Sequence, residues 1–102
     1  MPLVDVHAHF LPARYREALA EAGIDRPDGF PVVPAWSVEE HLAVMDRLGI
    51  DAAILSVSSP GVRFGTGASA SDAVELARHV NDIAAAAVAA HSHRFGAFAS
   101  LP

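Results

Sequence analysis

The sequence contains no cysteine, and its 7 basic residues form no cluster. Without cysteine, disulfides, thiolate nucleophiles and cysteine-based zinc sites are excluded. The basic residues are outnumbered by 12 acidic ones, which gives a formal net charge of −5. We expect no nucleic-acid partner, because binding to phosphates requires a stripe of positive charge that this chain lacks.

Long hydrophobic runs are also missing. The longest apolar run covers only residues 83–90, and it is too short and too rich in alanine to cross a bilayer. The amino terminus lacks the basic and apolar segments of a signal peptide. The sequence therefore predicts a cytoplasmic protein with no membrane partner. With 52% hydrophobic and 19% charged residues, its 102 residues are globular material, one small domain or a piece of a larger one.

The most informative segment lies close to the amino terminus. The apolar residues Leu3, Val4 and Val6 favour a β-strand, and Pro12 ends it. Side chains at positions i and i+2 of a strand share a face, so His7 and His9 are expected to project together. Two such imidazoles at the end of a strand can share one divalent cation. The alternative is two ordinary histidines in a half-exposed strand.

Helix and strand patterns alternate along the rest of the chain. Helices are predicted at residues 12–22, from Ser37 to Gly49, and from about Ser71 to Ala90; strands are predicted at residues 50–57 and 95–101. Repeated alternation of this kind predicts right-handed crossovers and a parallel sheet, which defines the α/β class. The segment 24–35 has three prolines and several apolar residues, and we interpret it as a lid, with a disordered insert as the alternative.

Three parallel strands alone would leave an open sheet edge and an uncovered apolar face. A parallel barrel typically needs eight strands and about 250 residues. We therefore expect the chain to be the first part of a longer protein, or a truncated product. A complete three-stranded α/β domain is the alternative.

Four segments share sequence patterns with a known family. They are DVHAHFLP at residues 5–12, MDRLGID at 45–51, VND at 80–82 and RFGAFASLP at 94–102. In this order they resemble the amidohydrolase superfamily, in the amidohydrolase-related branch of semialdehyde, hydroxybenzoate and methylsalicylate decarboxylases. The similarity spans nearly the whole chain.

The resemblance implies that residues 1–102 are the βαβαβ portion of a (β/α)8 TIM barrel, truncated after the third strand. It implies that His7 and His9 bind one catalytic divalent metal ion, with zinc expected first and manganese or iron as alternatives. The other ligands, and the catalytic acid or base, belong to strands outside this sequence, so no catalytic residue is assigned within it. It also implies a small carboxylic acid as substrate, and allows a homodimer.

Other polar residues receive weaker assignments. The loop with Ser58, Ser59 and Pro60 leaves the second strand at the mouth of the barrel and is a candidate for substrate contact, with a simple turn as the alternative. Phe10 either lines the pocket or packs in the core. We interpret Asn81 and four further histidines as surface or packing residues. Those histidines are His41, His79, His91 and His93.

Three functions remain open at this stage. The first is metal-dependent, non-oxidative decarboxylation of an aromatic or unsaturated carboxylic acid. The second is hydrolysis of an amide, lactone or ester at the same site, in which the metal activates water. The third is a truncated fragment without catalysis, because two protein ligands are fewer than a catalytic zinc site normally has. The segment 29–36 lacks the arginine that semialdehyde decarboxylases carry there, which favours an aromatic acid over the semialdehyde.

Overall fold

The computed structural model describes residues 1–65 and 69–102, and its centre is a parallel sheet with strand order β1-β2-β3. The elements are β1 (Val4–His9), α1 (Ala13–Glu21), a 3-10 turn (Pro27–Gly29), α2 (Val38–Leu48), β2 (Ala52–Ser56), α3 (Ala70–Ala90) and β3 (Phe95–Ala97). The predicted α/β class and parallel sheet are confirmed. Along the described ranges, no helix is long and apolar enough to cross a bilayer.

Local sequence signals set the helix ends. The Ser37 hydroxyl accepts a hydrogen bond from the Glu40 amide at 3.1 Å, as predicted for the start of α2. Gly49 follows α2 with a φ of 70°, a left-handed conformation that costs glycine little. Helix α3 begins slightly earlier than predicted, at Ala70, because Ser69 and Asp72 form a reciprocal capping box.

Strand β3 is shorter than the predicted range 95–101 because its pairing with β2 ends at Ala97, opposite Leu55. The Phe98 amide still donates to the Leu55 carbonyl at 2.9 Å. Beyond it, the Asn81 amide group binds the backbone of Ser100 twice, donating to its carbonyl at 3.0 Å and accepting from its N–H at 2.8 Å. Asn81 thus has the structural role that was predicted for it.

The core is centred on β2, whose Ala53 and Leu55 are both fully buried. Around them pack the largest buried side chains, Tyr15, Phe10, Leu19, Met45 and Val80. On the inner faces of the helices, Leu76, Val80 and Ala87 are buried, but Leu48 is 62% exposed and Ala90 is also exposed. Each of these two exposed residues is the last residue of its helix, so no further turn of that helix covers it.

A cluster of hydrogen bonds closes the end of the sheet where the strands begin. The Arg94 guanidinium donates to the Asp46 carboxylate at 2.7 Å and to the backbone carbonyls of Asp51 and Ile50 at 2.8 and 3.2 Å. The Asp51 carboxylate in turn accepts from the Leu3 amide at 2.6 Å. These contacts join the starts of β1, β2 and β3, which positions the opposite, carboxyl ends for the site.

Candidate metal centre

His7 and His9 come together at the carboxyl end of β1. Their Nε2 atoms are 3.1 Å apart, and their rings meet edge to face with centroids 4.6 Å apart. Two nitrogen ligands at tetrahedral positions about 2.0–2.1 Å from a zinc ion are separated by about 3.3 Å. The His7 ring is exposed and the His9 ring half-buried, so a cation could reach both. The pair therefore fits one divalent ion.

A β-bulge sets the direction of His7. Asp5 pairs with Ala53 and Ala8 pairs with Leu55, so Val6 and His7 together oppose a single residue of β2. The bulge removes the His7 amide from the regular ladder, and the Asp5 carboxylate accepts that N–H at 3.0 Å. Bulges commonly redirect side chains beside active sites. The simple alternation used in the sequence interpretation does not predict this irregularity.

The second ring nitrogen of His9 faces the backbone of the neighbouring strand. Nδ1 lies 3.3 Å from the Ser56 carbonyl oxygen. Because a carbonyl can only accept, this contact favours a proton on Nδ1 and leaves the Nε2 lone pair free. Metal-binding histidines commonly have such a partner, which fixes both tautomer and ring orientation. The arrangement supports a ligand role for His9.

Asp28 is a neighbour of the pair that the sequence interpretation did not identify. Its carboxylate oxygen lies 3.9 Å from Nε2 of His9, and its side chain is 57% exposed. It belongs to the 3-10 turn, with a φ of 56°. The Asp28-Gly29 dipeptide indicates a tight turn of this kind, but its contact with His9 spans many residues. No local pattern reveals such a contact.

The segment that carries Asp28, interpreted as a lid, is held at its far end by Trp36. The Trp36 ring packs edge to face on Phe10 with centroids 5.4 Å apart, and its indole N–H donates to Nδ1 of His41 at 2.9 Å. Val33 also packs against the core. By contrast, Phe30 and Val32 are 55% and 56% exposed, so the middle of the segment is not packed down.

The hydrogen bond from Trp36 requires a neutral acceptor on His41. Burial lowers the pKa of His41 below its usual value, and the negative charge of Asp5 opposes this only in part. Because the folded-state pKa is lowered, the stability that neutral His41 contributes is present above the unfolded-state pKa of 6.5. It is lost as the pH falls through the folded-state pKa.

We therefore expect the free energy of unfolding to fall on acidification from about pH 7.5 to about pH 5.5, and to fall less steeply in His41→Gln. Urea unfolding can be followed by the fluorescence of Trp36, the single tryptophan. His93→Gln, which removes an exposed histidine, serves as the matched control. Equal pH slopes for the wild type and His41→Gln would contradict this prediction.

The candidate substrate-contact residues occupy different environments. Phe10 is 1% exposed and Ser58 is 7% exposed, so both lie in the core in this structure. Ser59 is exposed and Pro60 is half-buried. The buried Tyr15 hydroxyl holds this loop from beneath, donating to the Gly61 carbonyl at 2.7 Å. Of the three candidates in this loop, Ser59 and Pro60 are thus the ones that solvent can reach.

His91 and His93 lie near the start of β3, at the opposite end of the sheet from the pair. His91 packs against Phe95, with ring centroids 6.2 Å apart, at the start of β3. His93 lines a small cavity with Asp46, Asp51 and Arg94, at the end of the sheet where the strands begin. A larger cavity of about 610 Å³ between α1 and α3 is lined mainly by acidic and apolar residues and contains no histidine.

Within residues 1–65 and 69–102, no three histidine, aspartate or glutamate side chains are arranged as a metal-binding group. His7 and His9 are therefore a pair of potential ligands and not a finished site. A catalytic zinc ion normally has three protein ligands and a water molecule.

Comparisons with known proteins match the whole chain to one part of larger proteins. The 6-methylsalicylic acid decarboxylase of Penicillium expansum is 38% identical over 102 residues, covering 100% of this chain and 30% of the relative. A crystal structure described as amidohydrolase II aligns with a TM-score of 0.87 and 35% identity, over 98% of this chain and 31% of that one. No protein-family model matches the chain.

A third similar protein has a structure with a bound metal ion. The structure of a dihydroxybenzoic acid decarboxylase from Polaromonas sp. JS666, with bound manganese and the inhibitor 2-nitroresorcinol, aligns with a TM-score of 0.62 and 27% identity. The alignment covers 100% of this chain and 31% of that one. The chain thus spans about 30% of the length of each of these proteins.

The fold and the histidine pair define a class. This is a parallel α/β chain that corresponds to part of a TIM barrel, with paired imidazoles at the carboxyl end of the first strand. In sequence and fold the chain is similar to two decarboxylases and to an amidohydrolase, over about 30% of the length of each.

Proposed function

We propose that this chain is the metal-binding first part of a decarboxylase that acts on an aromatic carboxylic acid. The observation that carries the proposal is the pair of Nε2 atoms 3.1 Å apart at the carboxyl end of β1. In parallel α/β barrels, active sites lie at that end of the strands. The similarity to a 6-methylsalicylic acid decarboxylase and a dihydroxybenzoic acid decarboxylase supports an aromatic acid.

In this proposal His7 and His9 hold one divalent ion. The manganese bound in the dihydroxybenzoic acid decarboxylase supports such an ion, so manganese stands beside zinc as a candidate. When bound, the ion would hold the oxygen atoms of the acid and stabilise the negative charge on them. Ser56 keeps the proton of His9 on Nδ1, and Asp5 maintains the bulge that directs His7.

The loop after β2 is the proposed contact with the substrate. Ser59 and Pro60 are accessible there, whereas Ser58 and Phe10 act from the core by shaping the loop and the floor of the pocket. We further infer a cytoplasmic protein that forms a homodimer in its complete form, by family resemblance. Its partner in the reaction is a small molecule and not a nucleic acid. Residues 1–102 would be a partial barrel domain within that protein.

Two other functions compete with this one. The same pair could hold a metal that activates water for hydrolysis of an amide, lactone or ester. In the other, the chain acts as a fragment without catalysis. We expect the 102 residues alone to show no turnover, because the described residues supply two ligands and not the three of a usual catalytic site.

The test compares the isolated chain with the longest polypeptide that its reading frame encodes. Both are supplied with Mn²⁺ or Zn²⁺ and assayed for carbon dioxide release from hydroxybenzoates and methylsalicylates, and for hydrolysis of esters and lactones. We expect metal-dependent carbon dioxide release from the longer polypeptide alone. Hydrolysis without decarboxylation would favour the second function. Turnover by the isolated chain would refute the expectation that it is incomplete.

A further inference from the structure

Asp28 lies beside the histidine pair although it comes from a loop and not from a strand. Its carboxylate oxygen is 3.9 Å from Nε2 of His9, the nitrogen that faces His7. One zinc–nitrogen bond and one zinc–oxygen bond together span at most about 4.3 Å in a straight line, and about 3.4 Å at a tetrahedral angle. A cation bound to His9 at this nitrogen is therefore within reach of the Asp28 carboxylate with little movement of either side chain.

The backbone around Asp28 is shaped to present this side chain. Asp28 and Gly29 are consecutive residues with positive φ, 56° and 72°. Aspartate and asparagine adopt this conformation more readily than other residues with a Cβ. Pro27, directly before them, is buried. The turn is thus fixed to the body of the chain at Pro27, while the carboxylate itself remains exposed.

The segment is also held on its far side. Trp36 packs on Phe10, the residue that follows His9, and donates a hydrogen bond to His41. The loop between α1 and α2 is therefore fixed at Pro27 and at Trp36. Asp28 is delivered to the histidines by these contacts and not by a freely moving chain.

The negative charge of Asp28 is expected to affect the binding of a divalent ion by the histidine pair. Two neutral imidazoles contribute no net charge to a divalent ion, so the ion would keep its full charge of +2. A carboxylate a few ångströms away stabilises that charge from beside the two nitrogen ligands. Negative charge beside the pair therefore favours the metal-bound form over the empty one.

We propose that Asp28 is the carboxylate partner of the cation held by His7 and His9, presented by the loop between α1 and α2. This rests on the proposed metal site. It adds a residue from outside the strands to that site, and it gives the loop a role in metal retention.

The test measures Zn²⁺ affinity of the full 102-residue chain by calorimetric titration, so no catalytic activity is needed. Asp28→Asn keeps the side-chain shape and the tolerance for positive φ, but removes the charge. We expect its Kd for Zn²⁺ to rise about 10-fold, the lower end of the effect typical of residues that support metal ligands. Asp28→Glu should restore part of the affinity.

Asp25→Asn is the matched control, because it removes the same charge from an exposed position in the same loop. Its Kd for Zn²⁺ should stay within about 2-fold of the wild type if only a carboxylate beside the histidine pair affects metal binding. The double variant His7→Ala/His9→Ala defines background binding by the other four histidines. Circular dichroism spectra of all variants should match, so that a fall in affinity is not a loss of fold.

The possible outcomes test the role of Asp28 separately from the histidine metal site. If Asp28→Asn binds Zn²⁺ as tightly as Asp25→Asn while the double histidine variant loses affinity, the role of Asp28 is wrong and the histidine site stands. If the wild type binds no more tightly than the double histidine variant, the metal site is wrong, and the role of Asp28 is overturned with it. A loss confined to Asp28→Asn and the histidine variant supports both.

Discussion

Replacing His9 with alanine is expected to lower the affinity of the chain for Zn²⁺ or Mn²⁺ by more than about 100-fold. Residues that only support ligands typically contribute 10- to 100-fold, and a direct ligand contributes more. His9 carries three features of a ligand: its Nε2 is 3.1 Å from that of His7, its Nδ1 faces the Ser56 carbonyl, and a carboxylate lies 3.9 Å away. Equilibrium dialysis with metal analysis measures the loss.

His93→Ala is the control for this prediction. It removes the same side chain from an exposed position near the start of β3, at the opposite end of the sheet. Its affinity for the metal should equal that of the wild type. If both variants lose affinity to the same extent, metal binding is spread over the histidines of the chain, and the assignment to β1 is wrong.

The part of the site that sequence predicts is the part set by periodicity. The spacing of His7 and His9 predicts that both project from one strand, and their rings do meet. The spacing does not predict the bulge at Val6 and His7, because the bulge depends on pairing with β2. Asp28 is missed for a similar reason, since its contact with His9 joins residues far apart in the chain.

The fold shows the same division between local and distant causes. Helix caps are local, and Ser37 and Gly49 were predicted to bound α2 as they do. The length of β3 is not local. Its residues have the apolar pattern of a longer strand, but pairing with β2 ends at Ala97. Further on, the side chain of Asn81 binds the backbone of Ser100.

The four segments of family resemblance divide into one that carries the proposed metal ligands and three that hold the sheet. The first contains His7 and His9. The second and fourth meet through Asp46 and Arg94, 2.7 Å apart, at the opposite end of the strands. The third supplies Asn81, which fixes the fourth at Ser100. Most of the resemblance is therefore explained by structure, and the functional inference rests on the first segment.

The loop after β2 depends on Tyr15, and this gives the largest expected effect on stability. Its ring is completely buried, and its hydroxyl donates to the carbonyls of Gly61 at 2.7 Å and Ser58 at 3.4 Å. Tyr15→Ala is expected to lower the free energy of unfolding by about 3–5 kcal/mol through loss of a large core side chain. Tyr15→Phe should lower it by only about 1 kcal/mol, the net value of the lost hydrogen bond.

Urea unfolding separates these two variants, and alkaline titration tests the burial of Tyr15 independently. Burial raises the pKa of Tyr15 to about 12, from an ordinary value of 10.0. A raised folded-state pKa means that the contribution of the protonated hydroxyl is intact below pH 10.0 and is lost as the pH rises toward about 12. The wild type should therefore lose stability over that interval, and Tyr15→Phe should lose less.

Tyr15 is the single tyrosine of the chain, so tyrosinate absorbance reports its ionisation directly. We expect this absorbance to appear together with unfolding in the wild type, because the buried hydroxyl ionises readily only once it reaches water. Ionisation near the ordinary pKa in a chain that remains folded would contradict the buried position. A loss of stability in Tyr15→Phe as large as that in Tyr15→Ala would instead assign the effect to the hydroxyl, and with it to the loop that carries Ser59 and Pro60.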